Sequence, residues 1–432
     1  MHVALTLIIA LAAAPGTSRT SDRGPQTRAA RPSSRLTSAP STSNRARPAS
    51  STRSSAGSPR KIEKVVERSS DDKVIVEREV YMDSRGKPVR HGLETRFYRN
   101  GNKAWERRYA DGRRHGPWTE WSQDGQKVAE GTFEHGKKQG HEIRYFLTGE
   151  PRSDIEYDDG VKHGAYLEWF KPGQPLTEAY FEHGKRVGRH QRWFPNGTLR
   201  LVQEYEDGER NGEEKSWYFS GQLEREASRK HDKYDGPFQE WFQTGQLKTK
   251  CNYIEGKLEG PAESWFETGQ RETVAEYREG EPNNDFTQWI ATPVHRKIAE
   301  YHYVDCKLEG LQIKWYEKTD QKEFELAYVD GKPNGVGREW YEDGQQKSER
   351  TFDKGKPVGR WTTWHENGKV ATIQEFQDGK PHGVWTEFDE GGQQVAQKHF
   401  RDGELVDKPA ASAPRRSSRA APASRARRAP SR

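Results

Sequence analysis

A glycine returns every 24 residues along most of this chain, at Gly92, Gly116, Gly140, Gly164, Gly188, Gly212, Gly236 and Gly260. Asn284 holds the next position, and Gly310, Gly335, Gly359 and Gly383 complete thirteen units. Five residues after each of these register positions stands an aromatic ring: Phe97, Trp121, Tyr145, Trp169, Trp193, Trp217, Trp241, Trp265, Trp289, Trp315, Trp340, Trp364 and Phe388. Self-similarity at a fixed period of this length marks a repeat architecture, one small unit copied and stacked. It also argues against an enzyme, because most of the chain is one element repeated.

Each unit reads as a β-hairpin. In residues 236–260 a first strand runs from about Pro237 to Gln243, a turn follows at Thr244-Gly245, and a second strand runs to about Ile254. Elsewhere the turn is Asn100-Gly101, Asp124-Gly125, Asn196-Gly197, Asp343-Gly344 or Asn367-Gly368, pairs that tolerate the positive φ of tight hairpins. Seven residues before the next register glycine comes a Tyr or Phe, as at Tyr109, Phe133, Tyr157, Phe181 and Tyr205. A second glycine-rich turn closes the unit, DGRRHG at 111–116 and DGKPHG at 378–383. The expected fold class is all-β: an elongated single-layer antiparallel sheet of about thirteen stacked hairpins with disordered tails. At ~4.8 Å per strand such a sheet is roughly 120 Å long. Adjacent rings such as Trp169-Phe170 and Trp193-Phe194 point to opposite faces of a strand, so an aromatic ladder is expected on each face.

Two places break the pattern. The unit after Gly212 has Arg229 where the second-strand aromatic belongs. Near residues 280–325 the register glycine becomes Asn284, one turn glycine becomes Pro293, and the spacing lengthens. A bend or change of register is expected there.

Composition agrees with a thin sheet. The chain is 31% hydrophobic and 32% charged, yet holds 14 Trp, 17 Tyr and 16 Phe, which disordered chains lack. Charge is uneven. Residues 18–60 carry +8 and residues 408–432 another +8, so the formal +6 leaves the region between at about −10. The basic balance therefore belongs to the tails and is no argument for specific nucleic-acid binding. Residues 1–17 read as a secretory signal peptide, with an apolar run too short to span a bilayer. Residues 18–60 and 408–432, rich in Arg, Ser, Ala and Pro, read as disordered linker and tail. Residues 61–91 read as a capping half-repeat before the array of 92–407.

The units resemble the MORN repeat variant, the module of the YwqK-like family of toxin–antitoxin antitoxins. The resemblance rests on G-x-x-x-x-W-[FY]-x-x-G-[QK] followed by [YF]-x-[DE]-G-K-x-x-G, and it covers roughly residues 70–405. It implies a β-hairpin array and binding of a partner protein.

Motifs for chemistry are missing. There is no G-x-S-x-G, no H-E-x-x-H and no phosphate loop. His91, His115, His163 and His382 precede a register glycine, while His135 and His183 precede the turn glycine. All six read as turn residues. Histidines on neighbouring units would lie about 10 Å apart, too far to share one ion. No catalytic residue, cofactor site or metal site is expected. Cys251 and Cys306 lie two units apart, roughly 20 Å, beyond the ~7 Å reach of a disulfide.

What remains is the aromatic row. Trp121, Trp169, Trp193, Trp217, Trp241, Trp265, Trp289, Trp315, Trp340 and Trp364 form the candidate partner-binding ladder, one ring every ~10 Å. The expected function is a non-enzymatic, exported, monomeric repeat scaffold that binds a partner protein through one sheet face. The alternatives are a module adhering to envelope glycan or anionic lipid through Trp rings and Arg-rich tails, or a cytoplasmic antitoxin that neutralises a toxin by direct binding.

Overall fold

The structure, a computed structural model, describes residues 60–291 and 294–407. The signal-like segment 1–17, the linker up to residue 59 and the tail 408–432 lie outside the described residues. The rest is one open antiparallel sheet, each strand pairing with its neighbours in chain order from Glu63–Arg68 to Glu404–Asp407. No helix occurs among the described residues.

Two kinds of turn alternate. The hairpin turn is a three-residue loop: the Tyr98 N–H donates to the Asn102 carbonyl at 2.8 Å and the Gly101 N–H to the Tyr98 carbonyl at 3.0 Å. Gly101 alone is left-handed, at φ 90°. A right-handed turn closed by one left-handed glycine is the usual three-residue hairpin. The turn between hairpins has only two residues, Asp111 (φ 49°) and Gly112 (φ 79°), flanked by the pair Ala110–Arg113. Two left-handed residues in succession match the strands' own twist.

Only Asp-Gly turns, therefore, and the rest of DGRRHG is already strand Arg113–Trp121. This corrects the expectation of a longer closing turn. The register glycine lies within that strand and makes a bulge. Gly116 (φ 98°) faces Phe133 of its own hairpin. On its other side Arg107 pairs with Trp118 and Tyr109 with Arg114, so Arg108 alone opposes three residues. Gly164 shows why glycine belongs there. At φ 96°, an added Cβ would lie 1.9 Å from Glu156 Oε2, the oxygen that accepts the Ala165 N–H at 3.3 Å. Asn284 keeps a left-handed φ of 61°, which Asn tolerates better than most residues.

Residues directly opposite one another share a sheet face. On that basis the buried side chains fall almost entirely on one face, hereafter the packed face, including Val80, Trp118, Ala129, Ala179, Phe238, Cys251 and Ala275. Thr95 and Val202 are the buried exceptions on the other face. The packed face carries a column in which cations alternate with rings. Arg90 sits 5.3 Å over Tyr109, Arg114 5.1 Å over Phe133, Lys138 4.7 Å over Tyr157 and Lys162 5.1 Å over Phe181. In the C-terminal half Leu or Pro replaces the cation, as in Leu258 opposite Tyr253 and Pro357 opposite Phe352. The aromatic ladder of this face thus comes from the second strands. The second ring of each Trp-Phe or Trp-Tyr pair does not form it in most units, because the strand ends at the Trp and the next residue opens the loop. There, Tyr98, Tyr218, Tyr316 and Tyr341 donate their hydroxyls to the carbonyls of Trp121, Trp241, Trp340 and Trp364 in the next hairpin.

In the stretch 280–325, pairing continues through Glu281–Ile290 and Arg296–Val304 and on to Gly310–Trp315. The extra residues fall between the paired Ile290 and Arg296 and between the paired Trp315 and Lys322, within hairpins and not in the ladder between units.

Candidate binding face

The opposite face carries the tryptophans. Its identity follows from Tyr145, whose hydroxyl donates to Glu130, a residue paired with Thr119 and so turned away from Trp118 and Ala129. All ten candidate tryptophans, Trp121 to Trp364, are half-buried on this face, at strand ends except for Trp169 and Trp289, which lie one or two residues inside. They sit one per hairpin and have no ring contact with one another; the close ring pairs include Phe352–Trp361 at 5.0 Å and Trp361–Phe376 at 4.6 Å on the packed face.

What lies opposite each of the first ten ladder rings within its hairpin divides that part of the face into three zones, while the last three rings oppose Gln346, Val370 and Gln394. Near the start it is a cation: Lys103 opposite Phe97 and Lys127 opposite Trp121. Lys103 Nζ lies 5.7 Å over Trp121 and Lys127 Nζ 5.9 Å over Tyr145. Lys127 also meets Glu130 at 2.9 Å. The Tyr145 hydroxyl, then Lys127, hold the Glu130 carboxyl below the usual carboxylate range, while burial and Glu130 push the Tyr145 phenol up to about 12. In the middle the partner is apolar: Pro151, Pro175, Leu199, Leu223 and Leu247 oppose Tyr145, Trp169, Trp193, Trp217 and Trp241. Beyond it cations return, with Arg271, Lys297 and Lys322 opposite Trp265, Trp289 and Trp315. Five consecutive hairpins therefore expose a ring-and-aliphatic strip bordered by positive charge. The ladder is legible in the sequence, and so in principle is the strip, whose signal is the residue six places after the ladder ring, or eight and seven after Trp289 and Trp315.

The histidines are structural in a way the sequence reading missed. His115 lies in a strand, and its Nδ1 accepts the N–H of His135, the left-handed first residue of the two-residue turn, at 3.4 Å. The two rings stand 5.2 Å apart, and His163 and His183 repeat the arrangement at 5.1 Å. Unlike positions of one hairpin meet where like positions of neighbours would not. Other polar residues do the same work: Gln139 accepts from Asp159, Asp235 from Glu255 and Asn334 from Lys354. The residue before the register glycine is thus a turn cap. His190 is different. It lies on the packed face 4.5 Å from the Tyr205 ring, and burial lowers its pKa to about 4. Cys251 and Cys306 are unbridged, and burial pushes the Cys251 thiol up to about 12.

Among the described residues no three His, Cys, Asp or Glu side chains converge as a metal-binding group. A shallow recess beside Tyr145 is lined by Gln126, Lys127, Leu147, Thr148 and Gly149.

No curated protein matches the sequence at a significant level. Among solved structures the chain is similar to the crystal structure of TcdB2-TccC3-Cdc42, at 9% identity and a TM-score of 0.13, covering 79% of this chain and 23% of that one. It is also similar to the Photorhabdus luminescens Tc holotoxin pore with the TccC3-D651A mutation, at 10% identity and a TM-score of 0.14, covering 78% and 23%. The chain spans less than a quarter of either protein, and superpositions this loose are uninformative about function. The MORN repeat variant family matches residues 114–135, 210–231, 234–255 and 357–378. Each match is one hairpin, from two residues before the register glycine to the first residue of the two-residue turn.

Proposed function

We propose that the array is a non-catalytic scaffold holding a partner protein along the tryptophan face, with the strip from Tyr145 to Trp241 as the main contact. One observation carries this reading: the two faces are used differently. On the packed face, rings and cations are consumed by contacts with one another. On the other face, half-buried rings of Trp193, Trp217 and Trp241 stand opposite the half-buried aliphatic side chains Leu199, Leu223 and Leu247. Aromatic and aliphatic anchors inside a charged border are the composition of a protein-binding patch. At the N-terminal end lysines already lie over ladder rings, Lys103 over Trp121 and Lys127 over Tyr145, which favours contact at the apolar centre.

A photo-crosslinking amino acid placed at Leu199 or Leu223 tests the assignment in extracts of the source cell. A discrete protein adduct from both positions, and none from Asp207 on the turn edge, is expected. Adducts of equal yield from all three positions would refute it.

A further inference from the structure

The two ends of the sheet are complementary parts of one strand. In a complete unit the strand Arg113–Trp121 makes two sets of pairs. Arg113 and Arg114 pair backward, with Ala110 and Tyr109 of the hairpin before. Gly116 to Trp121 pair forward into their own hairpin, and Trp118, Thr119 and Glu120 pair in both directions.

The first strand of the sheet, Glu63–Arg68, holds only the second part. Its pairs, Glu63–Val80 to Arg68–Val74, are the counterparts of Gly116–Phe133 to Trp121–Lys127. The last strand, Glu404–Asp407, holds only the first part. Glu404 opposes Arg401 and Leu405 opposes Phe400, as Arg113 and Arg114 oppose Ala110 and Tyr109. Four residues at one end and six at the other thus stand where a complete strand has nine. The single overlap falls at the bulge, where one residue already opposes three. Ahead of Glu63 the chain leaves the row. The Arg60 guanidinium lies 4.5 Å from the Tyr81 ring centre and bonds to Asp111, beyond the fourth strand and farther than the side chain reaches from the row. At the other end, among the described residues, nothing pairs with the outer side of residues 394–398.

An open edge presents unpaired N–H and C=O groups that template another strand. We propose that copies of this chain join end to end. Glu63–Arg68 of one copy lies beyond Glu404–Asp407 of another in the same row and pairs with its Gln394–Arg401. The joint sets Val65, Val66 and Glu67 opposite Lys398, Gln397 and Ala396, as Trp118, Thr119 and Glu120 stand opposite Arg107, Glu106 and Trp105 within the array.

Side chains fit this register. Arg107 Nη2 donates to Glu120 at 2.8 Å, and Lys398 and Glu67 hold those two places. Each is already paired within its own end, Lys398 with Glu387 and Glu67 with Arg78, so the joint lines up four charges of alternating sign. Exposed aliphatic side chains collect at both ends, Ile62 and Val66 at one and Val395, Leu405 and Val406 at the other. They are between 40% and 62% exposed, and a joint draws part of that surface out of water. A contact between unlike surfaces does not close on itself, so the product is an open series of copies. The tryptophan face stays free, and the proposal does not depend on the scaffold reading.

Light scattering by the full chain tests the association. In ~0.3 M salt, which screens the like charges of the two basic terminal segments, average mass is expected to pass that of a dimer between about 2 and about 200 µM. Disulfide trapping tests the register. In a Cys306→Gly background, V66C and Q397C chains are made separately, checked by circular dichroism, mixed and oxidised with glutathione disulfide. Directly opposed strand residues lie within disulfide reach, so the mixed dimer is expected at least about fivefold over either self-pair. Mass that stays at one chain, or stops at two, would overturn the proposal, as would self-pairs in statistical proportion to the mixed one.

Discussion

Arg229 and Tyr234 have exchanged the places that their counterparts hold in the other N-terminal units. In the units before them the second strand supplies the ring and the next strand the cation, as in Tyr109 opposite Arg114. Here the second strand supplies Arg229, whose guanidinium lies 3.7 Å from the ring centre of the opposing Tyr234. The missing aromatic at Arg229 is thus not lost but moved one strand along. The exchange leaves Arg210 and Arg229 as neighbours in the column, and two acids hold them. Buried Glu214 accepts from Arg229 Nε at 2.6 Å. Asp232, standing where other turns have glycine, binds Arg210 Nε at 2.8 Å and gives its carbonyl to Arg229. Replacing Arg229 by Leu leaves buried Glu214 with only Gln203, at 2.5 Å, and Arg225, at 3.8 Å, and is expected to cost about 1–3 kcal/mol. The double exchange Arg229→Tyr with Tyr234→Arg restores the alternation and should recover most of that loss. Urea unfolding of both variants measures it.

The register glycine gives a second expectation. Gly164→Ala places a Cβ at positive φ and displaces the Glu156 carboxylate. It should destabilise by about 1–2 kcal/mol from the backbone alone. Asn284→Gly, at the same position of another unit, should be neutral or slightly stabilising. Thermal unfolding of the pair separates backbone strain from generic sensitivity of the site.

His190 makes stability pH-dependent in a defined sense. Its folded pKa is lowered to about 4, chiefly by burial, while in the unfolded chain it titrates near the ordinary ~6.5. Between these values the unfolded state binds more protons, so its contribution is complete above about pH 6.5 and is lost as pH falls towards 4. His141 acts oppositely: hydrogen bonding to Asp154 raises its pKa, and its contribution fades as pH rises through that raised value. The test is a difference. His190→Phe should flatten the change in urea midpoint between pH 7 and 5, relative to the parent chain.

The two cysteines should differ in reactivity. Cys251 is buried with its thiol pushed up to about 12, whereas Cys306 is partly exposed in a turn. Thiolate is the reactive form. One thiol per chain is expected to react quickly near pH 8 in the folded protein, and two after unfolding. Two fast thiols in the folded chain would contradict the burial of Cys251.

The period, the hairpin and the ladder were readable because each depends on residue identity at one position: glycine for positive φ, a ring for surface cover. Which face packs was not, since it depends on the loop having three residues, the turn two, and Gly116 and its counterparts forming a bulge. The pair His115-Gly116 reads as a turn, and only pairing shows it inside a strand. The cap before the register glycine did leave a trace, being polar in every unit except those with Val187 and Val358.

If the apolar strip of the tryptophan face is the binding surface, charge placed in it must weaken partner binding without harming the fold. Leu199→Lys, Leu223→Lys and Leu247→Lys together give the central hairpins the cation that flanking hairpins such as Phe97–Lys103 and Trp121–Lys127 already carry, so the fold should survive. The affinity of this triple variant for the protein captured from Leu223 is the direct measurement. A loss of at least about tenfold, with unfolding behaviour unchanged, is predicted. Unchanged affinity in a folded triple variant would contradict the claim.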